Sequence, residues 1–375
     1  MNKHLHIVTH DVPYPADYGG VVDLFYKLKA LHKEGIAIHL HCFTQGRPPQ
    51  QELNKYCLTV NYYRRQKTAG RFSFSLPFIV NSRRDDELIK RLTKDNHPVL
   101  LEGIHCTYYL YNKALNNRRI IVRLHNAEFE YYSRLSQHEK NIFKKLYYRH
   151  ESRLLKKYEQ SLADKATFVA VSKADAELYK TILAAKHVEF LPVFTGITLT
   201  SSKTGSGCYC LYHGNLSVNE NEEAATWLLK NVVNELNIPL VIAGKNPSAK
   251  LQRLAHANTQ TCLVANPTET EMQDLIAKAQ VNILPSLNNT GVKLKLIHAV
   301  FSGRHCLVNK AGVDGSALET ACTIAESVAD FKEKITVLYN QPFTEDEIEK
   351  RNGLLNHLYN DEANAKKLIE IIWRN

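Results

Sequence analysis

The stretch that decides the fold is AQVNILPSLNNTGVKLKLIHAVFSGRHCLVN (279–309). VNILPS (281–286) is a short apolar run with the length of a buried strand. VKLKLIHAVFSG (292–303) has apolar residues at helical spacing and stops at a glycine, and HCLVN (305–309) is a second short apolar run. A strand, a helix and a strand in this order predict a parallel sheet with helices on its faces.

Strands and helices alternate over the rest of the chain as well. The predicted strands cover 5–10, 37–43, 98–104, 118–126, 166–172, 188–194, 208–214, 239–244 and 261–266. The predicted helices cover 21–32, 88–95, 140–159, 222–236 and 271–279. FTGITLTSSKTGSGC (194–208) separates two such series and is rich in Gly, Ser and Thr without periodicity, which is typical of a linker.

This organisation predicts an α/β protein of two doubly wound parallel-sheet domains that meet at a cleft. The first domain covers 1–195 and the second 208–355. The length of 375 residues agrees with two domains of about 150 residues each. Because ligands bind at the carboxyl ends of the strands in such sheets, the loops that follow the strands are the candidate sites.

The charge is concentrated in the first half of the chain. Residues 1–195 hold 31 Lys and Arg against 19 Asp and Glu, a balance of +12, whereas the whole chain carries +10. Two stretches mix aromatic and basic residues, 62–84 and 140–159, and in the second Phe143, Leu146 and Tyr147 recur at helical spacing. One interpretation is a solvated helix face with an irregular loop, and the other is a surface that meets anionic lipid headgroups. No nucleic-acid-binding motif is visible, so we expect no nucleic-acid partner.

The cysteines and the N-terminal sequence indicate the cellular compartment of the protein. The eight cysteines show no zinc-site spacing and lie mostly in apolar stretches, which indicates reduced, buried thiols and no metal site. MNKHLHIVTHDVPYP (1–15) has the pattern of a strand rather than of a signal peptide. We therefore expect a cytoplasmic protein, associated with the inner face of the membrane if the lipid interpretation holds.

Three loops between a strand and a helix contain glycine where the backbone could approach an anion. They contain Gly19–Gly20, His213–Gly214–Asn215 and Thr290–Gly291. A helix N-terminus after such a loop offers free N–H groups and a positive dipole. The third loop adds Lys293 and Lys295 in the first turn of the next helix, a pattern that fits a diphosphate held without metal, or a capped helix with solvated lysines.

Several segments, in the right order, resemble the GT-B glycosyltransferases of the retaining family 4, also called glycosyl transferases group 1. In the second half, YHGNLSVNENEEAATWLLKNV (212–232) resembles the first strand-loop-helix of their nucleotide-sugar domain, and TGVKLKLIHAVFSG (290–303) resembles their sugar-nucleotide helix in a GxKLK form. In the first half, THDVPYPADYGG (9–20) resembles their N-terminal glycine loop, and RLHNAEFEYYSRL (123–135) a histidine-bearing strand end. The resemblance implies the GT-B fold, with Rossmann-like domains and a C-terminal helix, 356–375, packed back on the first domain.

The resemblance also implies the reaction. A sugar would pass from a nucleoside diphosphate sugar to a glycan or lipid-linked acceptor in polysaccharide biosynthesis, with retention and with no cofactor or metal. His125 would contact the transferred sugar as the catalytic residue, and Glu102, Asn126 and Glu128 are further candidates in the cleft. The donor diphosphate would be bound by Gly20, Gly214, Asn215, Gly291, Lys293 and Lys295.

The chain departs from the family pattern at positions that matter for the donor. His298 stands where the family usually has a ribose-binding glutamate, and the earlier family glutamate falls near Thr290. Asn215 and Glu220 lie near the places of a frequent Arg/Lys pair. Two other functions therefore stay open: a non-catalytic subunit or scaffold of a glycan-assembly system, and a GT-B sugar-nucleotide epimerase.

Overall fold

The computed structural model describes residues 3–17, 19–288 and 291–374. The chain forms two compact units by its internal contacts. Unit 1 consists of Met1–Gly196 and Asn360–Asn375, and unit 2 of Ile197–Tyr359. In the part of the chain that is described, no helix is long and apolar enough to cross a membrane.

Unit 1 is built on a seven-stranded parallel sheet with the strand order β3-β2-β1-β4-β5-β6-β7. The strands are β1 (His4–Thr9), β2 (Ala37–Thr44), β3 (Thr59–Arg64), β4 (Val99–Glu102), β5 (Ile120–Leu124), β6 (Thr167–Ala170) and β7 (Val188–Phe190). The helices are α1 (Gly19–Lys33), α2 (Phe78–Asn81), α3 (Asp86–Leu92), α4 (Tyr108–Tyr111), α5 (Glu128–His138), α6 (Ile142–Leu162) and α7 (Lys173–Thr181). All residues of β4 and β5 are buried, because helices cover both faces of the sheet.

Unit 2 is built on a six-stranded parallel sheet with the order β10-β9-β8-β11-β12-β13. The strands are β8 (Cys210–Asn215), β9 (Leu240–Lys245), β10 (Thr261–Ala265), β11 (Val281–Ile283), β12 (His305–Val308) and β13 (Thr323–Ile324). The helices are α8 (Asn219–Trp227), α9 (Ala249–His256), α10 (Glu269–Lys278), α11 (Leu294–Ser302), α12 (Lys310–Val313), α13 (Val328–Asn340) and α14 (Glu345–Leu358). The predicted pair of parallel-sheet, Rossmann-like domains is confirmed.

The last helix, α15 (Asp361–Trp373), is part of unit 1 and packs against α1. Leu368, Ile371 and Ile372 are buried in the core on that face of the sheet. The helix begins five residues later than the expected position 356, because the residues up to Leu358 complete α14. The carboxylate of Asp361 accepts hydrogen bonds from the Thr195 and Gly196 amides at 3.1 and 2.8 Å, which ties the start of α15 to the end of unit 1.

In both sheets the strand order reverses between the first strand and the fourth. In unit 1 this switch point lies between β1 and β4, and in unit 2 between β8 and β11. A crevice forms at the carboxyl ends of the strands at such a point, because the connecting helices leave to opposite faces. The candidate residues of each unit follow these strands.

Candidate functional site

The candidate site of unit 1 lies at the carboxyl ends of β4 and β5. Glu102 is the last residue of β4, and His125 directly follows β5. The parallel pairing of Glu102 with Arg123 brings the two strand ends side by side. As a result, the Nε2 atom of His125 lies 3.1 Å from a carboxylate oxygen of Glu102. The structure thus brings together two of the predicted residues; Glu102 is completely buried, while the side chain of His125 is 16% exposed.

Glu102 and His125 belong to a buried network of charged groups. The ammonium of Lys27 lies 2.7 Å from Asp23 Oδ2 and 2.9 Å from Glu102 Oε1. The guanidinium of Arg123 donates to Asp23 Oδ1 at 3.1 Å. Burial alone would raise the pKa of Asp23, but Arg123 and Lys27 outweigh it and hold that pKa well below its usual range. The charges of the two acids and the two bases balance, so each buried charge in the network has a partner of opposite sign.

Ligand atoms of Asp23, Glu102 and His125 lie within 4.8 Å of one another, as the ligands of a metal ion would. The ammonium of Lys27, however, already lies between the two carboxylates. A divalent ion here would have to displace a buried cation that neutralises both acids. The geometry therefore fits a charged support for the imidazole of His125 better than it fits a metal centre.

Two further histidines line the same edge of the sheet, and the sequence argument did not select them. His10 follows β1, and its ring meets the ring of His125 edge-on at 5.7 Å. His105 follows β4 and stacks on His10 at 5.3 Å. Burial lowers the pKa of both rings well below the usual value, and the neighbouring Arg83 lowers them further. Neutral imidazoles of this kind can both donate and accept hydrogen bonds, as binding of a hydroxyl group requires.

Glu128 and Asn126 lie beside this group, at the start of α5. Burial raises the pKa of Glu128 to about 7, although a hydrogen bond from Asn126 opposes the shift. Burial raises the pKa of Glu159 well above its usual value, although the Phe129 amide at 2.9 Å and the Tyr179 hydroxyl donate to its carboxylate and oppose the shift. Asp175 accepts from the Ala127 amide at 3.0 Å. Glu159 and Asp175 thus satisfy free amides at the start of α5, which is a structural role.

A cavity of about 820 Å³ opens at the carboxyl ends of β2 and β3. Arg64, Arg65 and Lys67 line it together with the hydroxyl-bearing Thr44 and Thr68. The Arg65 guanidinium is fixed by Ser82 at 3.0 Å and by Gln45. The cavity is therefore basic, and one of its cations is held in a set position.

The glycine loop before α1 is described only in part. Gly19 and Gly20 form the first turn of α1, while Tyr18 lies outside the described residues. Arg47 donates to the Pro15 carbonyl at 2.6 Å and to Asp17, which ties this loop to the loop after β2. Gly20 lies at the start of a helix, as predicted. It belongs to unit 1, whereas Lys293 and Lys295 belong to unit 2.

In unit 2 the predicted residues converge around Lys295. The Lys295 ammonium donates to Asn221 Oδ1 at 2.9 Å and lies 5.0 Å from the centre of the Tyr212 ring. The Asn221 amide in turn donates to the Asn215 carbonyl at 3.0 Å. A Cβ atom on Gly214 would lie 3.3 Å from the Asn221 side chain, so glycine gives Asn221 room at the end of β8. The sequence argument missed Asn221, which connects Lys295 to the loop after β8.

Several basic side chains lie around Lys295. Burial lowers the pKa of Lys295 to about 8, and Lys293 lowers it further while Glu220 opposes the shift. Burial also lowers the pKa of His213 to about 3, with contributions from Lys295 and His298. Among the residues that the structure describes, no hydrogen-bond partner reaches His213 Nε2. Burial similarly lowers the pKa of His298, which lies one turn further along α11. A bound anion would offset the electrostatic cost of these groups.

The start of α11 differs from the prediction by two residues. Gly291 has φ +63, a conformation that favours glycine, and Lys293 is the N-cap of α11 with extended backbone. Lys295 is therefore in the first turn, whereas Lys293 precedes it. The Asn215 side chain turns back into its own loop and accepts from Ser217 at 3.1 and 2.7 Å. Thr290, predicted at this loop, lies outside the described residues.

Known proteins resemble both units. Residues 207–341 match the family Glycosyl transferases group 1. The Klebsiella pneumoniae "Uncharacterized 44.6 kDa protein in cps region" is 29% identical over 331 residues, which cover 83% of this chain and 84% of that protein. Solved structures of GT-B glycosyltransferases match the whole chain in structure, although their sequence identity to it is low. The chain therefore has the GT-B fold.

Two solved structures illustrate this likeness. One is S. aureus TarM in complex with fondaparinux, alpha-GlcNAc-glycerol and UDP, with a TM-score of 0.67 and 11% identity over 99% of this chain and 100% of that one. The other is described as trehalose-6-phosphate from E. coli bound with UDP-2-fluoro glucose, with a TM-score of 0.67 and 11% identity over 100% of this chain and 99% of that one.

Proposed function

We propose that this protein transfers a sugar from a nucleoside diphosphate sugar to a glycan or lipid-linked acceptor, with retention and without a metal ion. The observation that carries the proposal is the cluster of partly buried basic side chains at the start of α11. Lys295 is held there by Asn221 and Tyr212 next to His213 and His298, within the segment that matches a glycosyltransferase family. The nucleotides bound in the TarM and E. coli structures, UDP and UDP-2-fluoro glucose, both carry the negative diphosphate that this basic cluster suits.

The chemical requirement of the reaction is stabilisation of the leaving diphosphate. Negative charge grows on its bridging oxygen as the bond to the sugar breaks, so fixed cations and N–H groups close to it lower the barrier. Lys295, Lys293 and the free amides at the start of α11 supply both kinds of group. In this proposal the lysines do what Mg²⁺ does in other transferases.

In this proposal His298 binds the ribose of the donor. Burial keeps its imidazole neutral, so it can donate one hydrogen bond to a ribose hydroxyl. A neutral donor binds a hydroxyl less strongly than a carboxylate does. We therefore expect weaker discrimination for ribose than an acidic residue at this position would give.

In this proposal His125 contacts the sugar that is transferred. The Glu102 carboxylate accepts from Nε2 at 3.1 Å, which orients the ring. The ring then donates to or accepts from a hydroxyl of the transferred sugar and holds the sugar in place while the bond to the diphosphate breaks. No protein nucleophile is assigned, because the proposal needs none.

The acceptor is expected to carry negative charge. Arg64, Arg65 and Lys67 line the cavity at the carboxyl edge of the unit 1 sheet, which suits a phosphate or carboxylate group. Acceptors linked through phosphate to a lipid fit this chemistry, as do acidic glycans.

A donor panel tests the proposal. The full-length protein is heated with each common nucleoside diphosphate sugar, and the one that raises the melting temperature is then incubated alone. Release of free nucleoside diphosphate and sugar supports the transferase. Stabilisation with no turnover, even with acceptor mixtures, favours a non-catalytic subunit, and conversion to an epimeric donor favours an epimerase. If no donor stabilises the protein, the donor site proposed here is wrong.

A further inference from the structure

Unit 1 carries an exposed surface that combines large apolar side chains with positive charge. Its apolar part comes from the loop before α2 and from the first turns of α6. The residues are Phe72, 45% exposed, Phe74, 81%, Ile142, 59%, Phe143, 80%, and Leu146, 56%. We call them, together with the exposed cations of α6, the aromatic-basic surface.

The two segments of this surface are neighbours in space. The Phe74 ring meets the His150 ring of α6 edge-on at 6.1 Å, and the Phe72 ring lies 5.5 Å from Phe74. Phe143, Leu146 and His150 follow one another at helical spacing, so they share one stripe of α6. The loop therefore extends the apolar stripe of the helix into one contiguous patch.

The charge of α6 is one-sided. Its six cations are all exposed: Lys144, Lys145, Arg149, Arg153, Lys156 and Lys157. Its two acids, Glu151 and Glu159, are buried, where they accept hydrogen bonds from the amides of Phe78 and Phe129 at 2.8 and 2.9 Å. The exposed face of α6 thus has a charge of +6 and no acidic residue to offset it.

We infer that the aromatic-basic surface docks the protein on a bilayer that contains anionic phospholipid. Cations beside a negatively charged leaflet bind it, and exposed Phe side chains enter the boundary between headgroups and acyl chains. The aliphatic Ile142 and Leu146 suit acyl chains and cannot stack on nucleic-acid bases as aromatic rings do. The occupant that matches both the charge and the side-chain chemistry is therefore a lipid surface.

The structure also shows which residues of the two basic stretches take no part. Phe78 is half-buried beneath the Arg65 guanidinium, and Arg65 is held by Ser82 and Gln45, so neither is free for lipid. Tyr63, on β3, is buried in the core. Phe78 therefore does not belong to the aromatic-basic surface, although it lies in the same stretch as Phe72 and Phe74.

Vesicle co-sedimentation of the full-length protein tests the inference. We expect binding to vesicles of phosphatidylcholine mixed with phosphatidylglycerol, no binding to phosphatidylcholine alone, and loss of binding as salt is added. The triple variant Lys144→Gln, Lys145→Gln, Arg149→Gln should lower the partition coefficient roughly 100-fold, since each cation near an anionic surface contributes about fivefold. The double variant Phe74→Ser, Phe143→Ser should weaken binding at every salt concentration.

Matched controls separate docking from general charge and hydrophobicity. Lys203→Gln, Lys230→Gln, Lys250→Gln removes the same number of exposed cations from unit 2, and Leu58→Ser removes a 63% exposed apolar side chain elsewhere on unit 1. Both should bind vesicles as the parent does. All variants should keep the parent melting temperature, since the changed side chains are exposed.

Each outcome decides the inference. Binding that is lost in the two α6 and loop variants but kept in the controls supports it. No binding to acidic vesicles at low salt overturns it, as does equal loss in the control variants. Binding to a single-stranded oligonucleotide that the same variants abolish, without vesicle binding, assigns the surface to nucleic acid instead. Donor stabilisation is measured separately, so failure here leaves the proposed transfer reaction unaffected.

Discussion

Replacing Lys295 by methionine should weaken donor binding and stabilise the protein at the same time. The ammonium is buried among Asn221, Tyr212 and His213, and burial lowers its pKa from 10.5 to about 8. A folded-state pKa lower than that of the unfolded chain means that the unfolded chain binds the proton more tightly. Folding therefore carries a penalty that is fully present below pH 8 and fades as the pH rises toward 10.5.

The size of both effects follows from this shift. The difference of 2.5 units corresponds to about 3 kcal/mol, from which the lost hydrogen bond to Asn221 subtracts about 1 kcal/mol. Lys295→Met should thus raise the free energy of unfolding by about 2 kcal/mol at pH 7. The lost charge-assisted contact with a diphosphate costs about 1.5–3 kcal/mol, so affinity for the nucleoside diphosphate should fall by about 10–100-fold.

Calorimetry with a nucleoside diphosphate and with its nucleoside measures the binding part, and urea unfolding at several pH values measures the stability part. The nucleoside should bind the variant and the parent equally. Only the parent should gain stability between pH 8 and 10.5, and Lys230→Ala, an exposed lysine of unit 2, should change neither quantity. Equal losses for diphosphate and nucleoside would show that Lys295 does not contact phosphate, and a pH-independent stability gain would contradict the buried ammonium.

Further predictions concern substitutions at four single positions. His125→Ala should lower the rate of transfer about tenfold, as for one lost hydrogen bond, while donor affinity measured by calorimetry stays within twofold. Glu128→Gln should gain stability relative to the parent in urea unfolding as the pH rises from 4.5 to 7, because burial raises the pKa of Glu128 to about 7 and its ionisation then opposes folding. Gly244→Ala should destabilise the protein by at least about 3 kcal/mol, because its Cβ would lie 1.9 Å from the Gly214 carbonyl oxygen. Gly353→Ala, in open space on α14, should instead stabilise it by about 0.5–1 kcal/mol, and thermal unfolding compares the two.

The sheets were predictable because central parallel strands are buried on both faces and therefore appear as continuous apolar runs. Two of the edge strands were not: β3 (Thr59–Arg64) is half exposed and mixes tyrosines with arginine, and β13 (Thr323–Ile324) has two residues. The sequence placed His125 and Glu102 at strand ends correctly, because the end of a strand can be located from the end of its apolar run. Their 3.1 Å contact depends on which strands pair, and the sequence did not specify that order.

Buried charge was the least predictable property of the candidate site. Asp23 and Lys27 lie four residues apart on α1, a spacing usual for an exposed ion pair, yet both are buried. Lys295 likewise fits the pattern of a solvated helix start, and only the packing of Tyr212 and Asn221 over it shows otherwise. Charged residues are so often exposed that their burial becomes visible only when the neighbouring elements are in place.

The two switch points differ in electrostatics, and this difference argues for a division of roles. In unit 1 the acids Asp23 and Glu102 balance the bases Lys27 and Arg123, so the group beside His125 is close to neutral. In unit 2 burial lowers the pKa values of Lys295, His213 and His298, and Glu220 and Glu269 oppose the shifts of Lys295 and His298 only in part. A balanced network orients an imidazole for uncharged hydroxyl groups, whereas an uncompensated one favours a ligand that brings negative charge. The group beside His125 therefore suits uncharged hydroxyl groups and the group around Lys295 suits a diphosphate, each on the evidence of its own unit.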